Sequence, residues 1–229
     1  MPPFAVALIA LSLSLAVPAQ TSPRSSSSNS AKHIKKPTAP TDAAIDAGAV
    51  ASGSYRNKSL ALSCKIPEGW VLRTEEMNDQ EEEEEGKDKA ESALPPAGAA
   101  SSAGAKVLLA AFSRPPAARA EEVNSSILIA VERAASYPGL KDAAQYFGPL
   151  TEVAKSQGLT VDEDPYEIAV GTKTLVRGDF HKDVGSRVMH QSTLVLLSHG
   201  YAVSITIIAG TEDEVEELID GLTFNATGK

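Results

Sequence analysis

Residues 191–224 read QSTLVLLSHG YAVSITIIAG TEDEVEELID GLTF, and their pattern decides the fold. Tyr201, Val203, Ile205 and Ile207 alternate with Ala202, Ser204 and Thr206, the period of two that turns one strand face inward. His199-Gly200 supplies a tight turn, because glycine and, less readily, histidine tolerate positive φ. With those two residues at the turn, Leu196 lies opposite Val203 and Leu194 opposite Ile205, so the apolar residues share a face. Gly210 breaks the second strand. Thr211-Glu212-Asp213-Glu214 then forms a capping box, and Val215, Leu218, Ile219 and Leu222 follow at helical spacing. The stretch predicts a β-β-α closing unit of an α+β domain, with no reaction chemistry in it.

Working outward, the same periodicity recurs. Leu60, Leu62, Cys64 and Ile66 alternate with Ala61, Ser63 and Lys65 and predict an opening strand; Pro67-Glu68-Gly69-Trp70 turns the chain, and Val71-Leu72 begins a second strand. Val107, Leu109 and Ala111 mark a strand over 106–112, stopped by Arg114-Pro115-Pro116, and 126–132 is another. Asp142 caps a helix with Gln145 three residues on, and Gly158 ends it. Gly148-Pro149 interrupts that helix, which predicts a kink or two short helices. Tyr166, Ile168 and Val170 form a strand that turns at Gly171-Thr172, residues 174–181 run back, 182–185 turn, and 187–198 enter the opening hairpin. The result is an antiparallel meander with one helix inserted and one at the end.

The amino terminus reads as an address. Phe4 to Val17 is apolar and ends at Val17-Pro18-Ala19, small residues suited to signal peptidase. The run is shorter than the roughly 20 apolar residues that span a bilayer, so the mature chain is expected to carry no transmembrane span. Cleavage between Ala19 and Gln20 is the expectation, although no Lys or Arg precedes the apolar run. No cysteine follows it, so a lipid anchor is not supported. The organisation expected is a signal over 1–19, a disordered Ser/Thr/Pro/Ala-rich linker over 20–54, a single domain over 55–225 and a tail over 226–229. Within the linker, Lys32, His33, Lys35 and Lys36 are solubilising charge or a weak contact for anionic lipid or envelope polymer. Inside the domain, about 75–105 reads as a disordered insertion, first acidic (Glu81 to Glu85) and then rich in Ala and Gly. The acidic run lacks the Asp/Asn alternation and turn glycine of a calcium loop.

Composition narrows the chemistry. The chain has 229 residues and a formal net charge of −9, without the clustered Lys and Arg that nucleic-acid binding needs. Cys64 is the single cysteine, so no intramolecular disulfide or multi-cysteine zinc site can form. It reads as a buried small hydrophobe, since only Lys65 is near to activate a thiolate. His181, His190 and His199 are spaced nine apart, but extended strand would hold His190 and His199 on the order of 30 Å apart. No metal is therefore expected on them. There is no Gly-x-Ser-x-Gly elbow, no Gly-x-Gly-x-x-Gly turn and no phosphate-cradling loop. Asp162-Glu163-Asp164 is the one carboxylate cluster in the domain, ahead of Pro165, where a polar turn is the default. Asn57, Asn124 and Asn225 begin Asn-x-Ser/Thr triplets. Trp70, the only tryptophan, either caps one end of the core or stacks on a ligand.

The opening strand with Pro67-Glu68-Gly69-Trp70, the central helix, the long meander and the last helix closing on Leu222-Thr223-Phe224 together resemble the PsbP-like fold. That family includes PsbP, Mog and many small exported bacterial proteins. The resemblance covers about residues 55–225 and implies an α/β/α sandwich, an antiparallel sheet flanked by helices, with a non-enzymatic binding or accessory role. It supplies no functional residues, and the insertion at 75–105 departs from the compact pattern. The expectation is an exported, periplasmic or extracellular binding or accessory protein of the cell envelope, with no catalytic residues and no cofactor. Its partner would be an unidentified envelope protein. The alternative is a small-ligand or lipid carrier using a cleft between sheet and helix near Trp70. A hydrolase built on Asp162 to Asp164 or Asp179 is a third, weaker reading.

Overall fold

Leu194 faces Ile205 and Leu196 faces Val203 across the central hairpin, in the register the alternation dictates. Its turn places His199 at φ 54° and Gly200 at φ 81°, the paired left-handed residues of a type I′ turn. The computed structural model describes residues 45–85, 105–115 and 122–225. The calls on 1–44, 86–104 and 226–229, including Ala19, Gln20, the basic patch and the tail, lie outside those residues.

Four short strands, β1 (Ala49–Ala51), β2 (Ser54–Asn57), β3 (Leu62–Lys65) and β12 (Leu222–Phe224), form one sheet in that order. The larger sheet runs β4 (Val71–Leu72), β5 (Lys106–Phe112), β6 (Ser126–Arg133), β11 (Tyr201–Ala209), β10 (Arg187–Ser198), β9 (Lys173–Val184) and β7 (Thr160–Val161). An eighth strand, β8 (Tyr166–Val170), also pairs with β9. Every strand pair among the described residues is antiparallel. Three helices are added: α1 (Thr74–Glu85), α2 (Ala143–Ser156) and α3 (Glu212–Asp220). The architecture is thus predominantly β, with helices laid on the sheet, and is more sheet-rich than an α+β reading implies.

The large sheet is covered on both faces. On one, Val203, Ile205 and Ile207 join Leu194, Ile127 and Ile129 in a core closed by Tyr55, Leu62, Cys64 and Phe224 of the small sheet and Val215 and Leu218 of α3. Each such fully buried aliphatic side chain contributes about 1.5–3 kcal/mol. On the other, Tyr146, Phe147, Leu150 and Ala154 of α2 pack on Val176, Phe180, Met189 and Val195. The alternation predicts only the first core. Small polar residues, Thr193 and Thr206, are buried on the second face, so apolar spacing alone does not betray it.

Several boundaries move. The expected linker ends earlier than 54, because β1 pairs with β2 and Ile45 is buried. Asp46 ties this segment down: its carboxylate accepts from Ser59 N–H and Oγ–H and from Gly48 N–H, and the Ser59 hydroxyl bond chiefly lowers its pKa. The acidic run is a helix through Glu85 rather than a loop. Thr74 Oγ1 accepts from Ala110 N–H at 3.0 Å, and the Asn78 side chain accepts from Val107 N–H and donates to Val107 O, imitating a strand partner. Glu75 and Glu76 in the first turn suit the positive end of the helix dipole. α2 continues through Gly148-Pro149 as one helix instead of two. β9 extends to Val184, so the turn is Gly185-Ser186 and not 182–185. An extra residue at Leu108 puts a bulge in β5 that interrupts its alternation.

The caps follow the sequence. Asp142 accepts from Gln145 N–H at 3.0 Å while Gln145 Oε1 accepts from Lys141 N–H, and Thr211 accepts from Glu214 N–H at 3.2 Å. Leu222-Thr223-Phe224 closes the chain as strand β12 against β3, clamped from its other side by Thr172, whose N–H and hydroxyl both donate to Phe224 O. Gly171, at φ 58°, makes that approach feasible: a Cβ there would lie 2.4 Å from the same carbonyl oxygen.

Candidate functional site

Because β9 and β10 fold about Gly185-Ser186, residues equally distant from the turn face each other. Asp179 lies opposite Ser192 and His181 opposite His190, and Tyr166 of β8 lies opposite Arg177. Alternation carries Arg177, Asp179 and His181 to one face. α3 adds Glu212 and Glu216, one helical turn apart, and a polar hollow of about 270 Å³ results.

Its groups are bound to one another. Asp179 Oδ1 accepts from Arg177 Nε at 2.9 Å and from the Ser192 hydroxyl, and Oδ2 accepts from the Tyr166 hydroxyl at 2.9 Å. Arg177 Nη2 reaches Glu216 Oε1 at 2.6 Å, and its guanidinium lies 5.8 Å from the Tyr166 ring centroid. Burial pulls the Arg177 pKa down, but bonds to Glu216 and Asp179 outweigh it and the net direction is up. Burial, then the bond to Asp179, pushes Tyr166 up to about 12. Three donors occupy most of the Asp179 lone-pair sites. Ser192 donates to this carboxylate, and His190 borders the same hollow. Chemically the cluster fastens α3 and β8 to the sheet.

The three histidines divide. His199 sits in the hairpin turn, a strand length from His190, as expected. His181 and His190, however, are neighbours, which the nine-residue spacing conceals. Nδ1 of His181 pairs with Asp162 Oδ1, and Nδ1 of His190 lies 3.7 Å from Glu212 Oε1. Asp162 and Glu163 stand at the rim of the hollow, so the Asp162 cluster and Asp179 do converge. Among the described residues no three His, Cys, Asp or Glu side chains assemble into a metal site.

A second cleft opens on the opposite face, between α2 and the sheet. Val107, Leu128, Ala130, Ser204 and Thr206 form its floor and Leu150, Val153 and Ala154 its roof, with about 40 Å³ of space between them. Gln191, which borders both this cleft and the polar hollow, is 6% exposed and donates from Nε2 to Thr193 Oγ1 at 3.4 Å, while its buried Oε1 has no partner among the described residues. Thr193 and Thr206 share a hydroxyl bond at 3.2 Å. Beside the cleft, Glu132 is buried and takes hydrogen bonds from the Tyr146 and Tyr137 hydroxyls, the former at 2.9 Å; burial, then the Glu132 charge, raises the Tyr146 pKa. Sequence spacing gives no sign of this cleft, since its polar residues read as the solvent side of an alternating strand.

The remaining candidates fall elsewhere. A cleft between sheet and helix exists, but Trp70 is not in it. The indole packs half-buried against the core between the two sheets and borders a shallow open hollow with Arg56, Lys65 and Leu72. Cys64 is fully buried and burial pushes its thiol up to about 12, so it is not an activated nucleophile. Asn57 is 2% exposed and its amide is bonded to Asp46 O and Tyr55 Oη, which closes it to modification in the folded chain. Asn124 binds Ser113 and Arg114, and Asn225 is exposed.

No family model and no curated protein matches this sequence. Solved structures resemble it loosely. LpqN of Mycobacterium tuberculosis, described as involved in cell envelope biogenesis, is 15% identical with a TM-score of 0.34, over 72% of this chain and 83% of that one. PA94 of Pseudomonas aeruginosa, a protein of unknown function and putative regulator, is 15% identical with a TM-score of 0.33, over 54% and 78%. A protein of Bacteroides thetaiotaomicron VPI-5482 is 11% identical with a TM-score of 0.32, over 73% and 46%. Function has to be argued from this chain's own residues.

Proposed function

We propose that this chain is an exported, non-catalytic binding protein of the cell envelope. The observation that carries the reading is the saturation of Asp179. The carboxylate best placed for chemistry is engaged by Arg177, Ser192 and Tyr166, which ties it into an anchoring network instead of leaving it free as a general base. Export is supported by the apolar run Phe4 to Val17 and the small residues before Gln20. An antiparallel sheet with α2 and α3 on opposite faces supports keeping the PsbP-like resemblance as part of the proposal. The test has two arms. Fractionation with mass spectrometry of the terminus should find a chain beginning at Gln20 outside the cytosol, and an intact Met1 in the cytosol would refute export. A hydrolase substrate panel should show no turnover; turnover abolished by Asp179→Asn would refute the non-catalytic reading.

A second reading, a small-ligand carrier, is favoured by the largely apolar cleft under α2. It relocates the carrier site from Trp70 to the opposite face of the sheet.

A further inference from the structure

We propose that His181 and His190 together bind a divalent transition-metal cation of the class of Zn²⁺, Ni²⁺ and Cu²⁺, with Nε2 of each imidazole as the ligand atom. The site is independent of the export, binding and carrier readings, and no reaction is assigned to it. Gly185, at φ 65°, opens the two-residue turn between Val184 and Arg187, as the first central residue of a type II′ turn does. The pair that flanks such a turn is hydrogen-bonded, and the ladder alternates from there. Val184–Arg187 is therefore bonded, Asp183–Val188 is not, Lys182–Met189 is, and His181–His190 is not. The far side of β9 agrees. The Asp179 carbonyl accepts from Asp162 N–H at 3.0 Å, so the odd-numbered residues of β9 turn their backbone groups toward β7 and away from β10. Non-bonded pairs are the close ones, with Cα atoms about 4.5 Å apart.

Each ring is already held by a carboxylate from outside the hairpin. Nδ1 of His181 pairs with Asp162 Oδ1, and Nδ1 of His190 lies 3.7 Å from Glu212 Oε1. A carboxylate on one ring nitrogen is the usual companion of a metal on the other, because it fixes the ring and raises the basicity of the ligand atom. No bond to either Nε2 is formed among the described residues. The side chains are 37% and 22% exposed, so an ion can reach them from solvent. Two Nε2 atoms on one ion stand about 3 Å apart, within reach of imidazoles whose Cβ atoms are roughly 5 Å apart. The described lining of the adjoining hollow carries Asp162, Glu163, Asp179, Glu212 and Glu216 against Arg177, a balance that favours a cation. No third His, Cys, Asp or Glu completes a ligand set among the described residues, so water fills the remaining positions. Paired imidazoles select Zn²⁺, Ni²⁺ or Cu²⁺, whereas Mg²⁺ and Ca²⁺ take oxygen ligands.

The test titrates the full-length chain, ¹⁵N-labelled at its histidine rings, with Zn²⁺ while NMR follows each ring nitrogen. The expected result is that Nε2 of His181 and Nε2 of His190 shift together and saturate at one ion per chain, with His199 unmoved. Excess Mg²⁺ should change the Zn²⁺ affinity by less than about twofold. Zn²⁺ should also raise the melting temperature of the native sequence, and not that of His181→Gln or His190→Gln, each of which leaves a single imidazole. If either Nε2 fails to shift, or the ion saturates His33 or His199 in their place, the site is overturned. That readout needs no variant, so it decides even where a substitution impairs folding. A folded His190→Gln chain that binds Zn²⁺ within about twofold of the native affinity overturns it as well.

Discussion

The ring of Phe147 lies on the α-carbon of Gly178: a Cβ at that glycine would sit 2.4 Å from Phe147 Cε1 and 2.9 Å from Cδ1. Phe147 is 3% exposed and wedged among Val176, Phe180 and the rest of the α2 core, so its ring cannot swing aside. Gly178→Ala should therefore destabilise by about 1–3 kcal/mol through overpacking. Gly148, exposed on the same helix, is the control, but it precedes Pro149, whose ring disfavours a β-carbon on a helical residue before it. Gly148→Ala should therefore change stability by less than about 1 kcal/mol. The urea midpoint of Gly178→Ala should fall well below that of the control.

Asp179→Ala should cost more. It strips Arg177, whose side chain is 11% exposed, of its inner partner and leaves Ser192 and Tyr166 without their acceptor. The loss should be about 3 kcal/mol. Replacing Arg177 and Asp179 together by Met and Leu should cost less than the two single changes added, because the double change strands no buried charge, Glu216 being half exposed. A thermal-melt cycle over the four proteins measures that coupling.

Alkaline pH should unfold the protein through Cys64. Burial raises the thiol from 9.0 to about 12. A folded pKa above the unfolded one means full stability below pH 9, then loss as the unfolded thiol ionises and the folded one does not. The slope should be on the order of 1.4 kcal/mol per pH unit between pH 9 and 12. Tyr55, raised by burial from 10.0 to about 12, adds to it above pH 10. Cys64→Ala should flatten the decline between pH 9 and 10, and native Cys64 should resist alkylation until denaturant is added.

Gln191→Leu should stabilise the unliganded chain by about 1–2 kcal/mol, since it removes a buried acceptor with no donor and forfeits only a long bond to Thr193. A lower melting temperature for that variant would show that the amide is satisfied within the fold.

How far the sequence reaches depends on which residues carry the signal. Leu194, Val203, Ile205 and the caps at Asp142 and Thr211 were legible because spacing and side-chain type agree locally. The polar hollow was not, although its ingredients were in view. Asp179, Ser192, His181 and His190 are brought together only by the Gly185-Ser186 turn, and the spacing of nine between histidines reads as separation until the hairpin centre is fixed. The α2 cleft is harder still. Ser204 and Thr206 look like the wet side of β11, and only the docking of α2 on β9 and β10 encloses that face. The helix at Thr74–Glu85 hides for a related reason, since Asn78 and Thr74 hold it to β5, and neither bond can be read from a run of glutamates.

The three-residue strand β12 has a consequence for timing. Phe224 completes a core that includes Tyr55, Leu62 and Cys64, which emerge from the ribosome far earlier, and the Thr172 clamp waits for the same carbonyl. A nascent chain can assemble the β9–β10–β11 meander locally, but the small sheet stays unsealed until residue 224 is free. The polypeptide therefore remains pliable through nearly the whole of its synthesis, and locks last where it is stitched shortest.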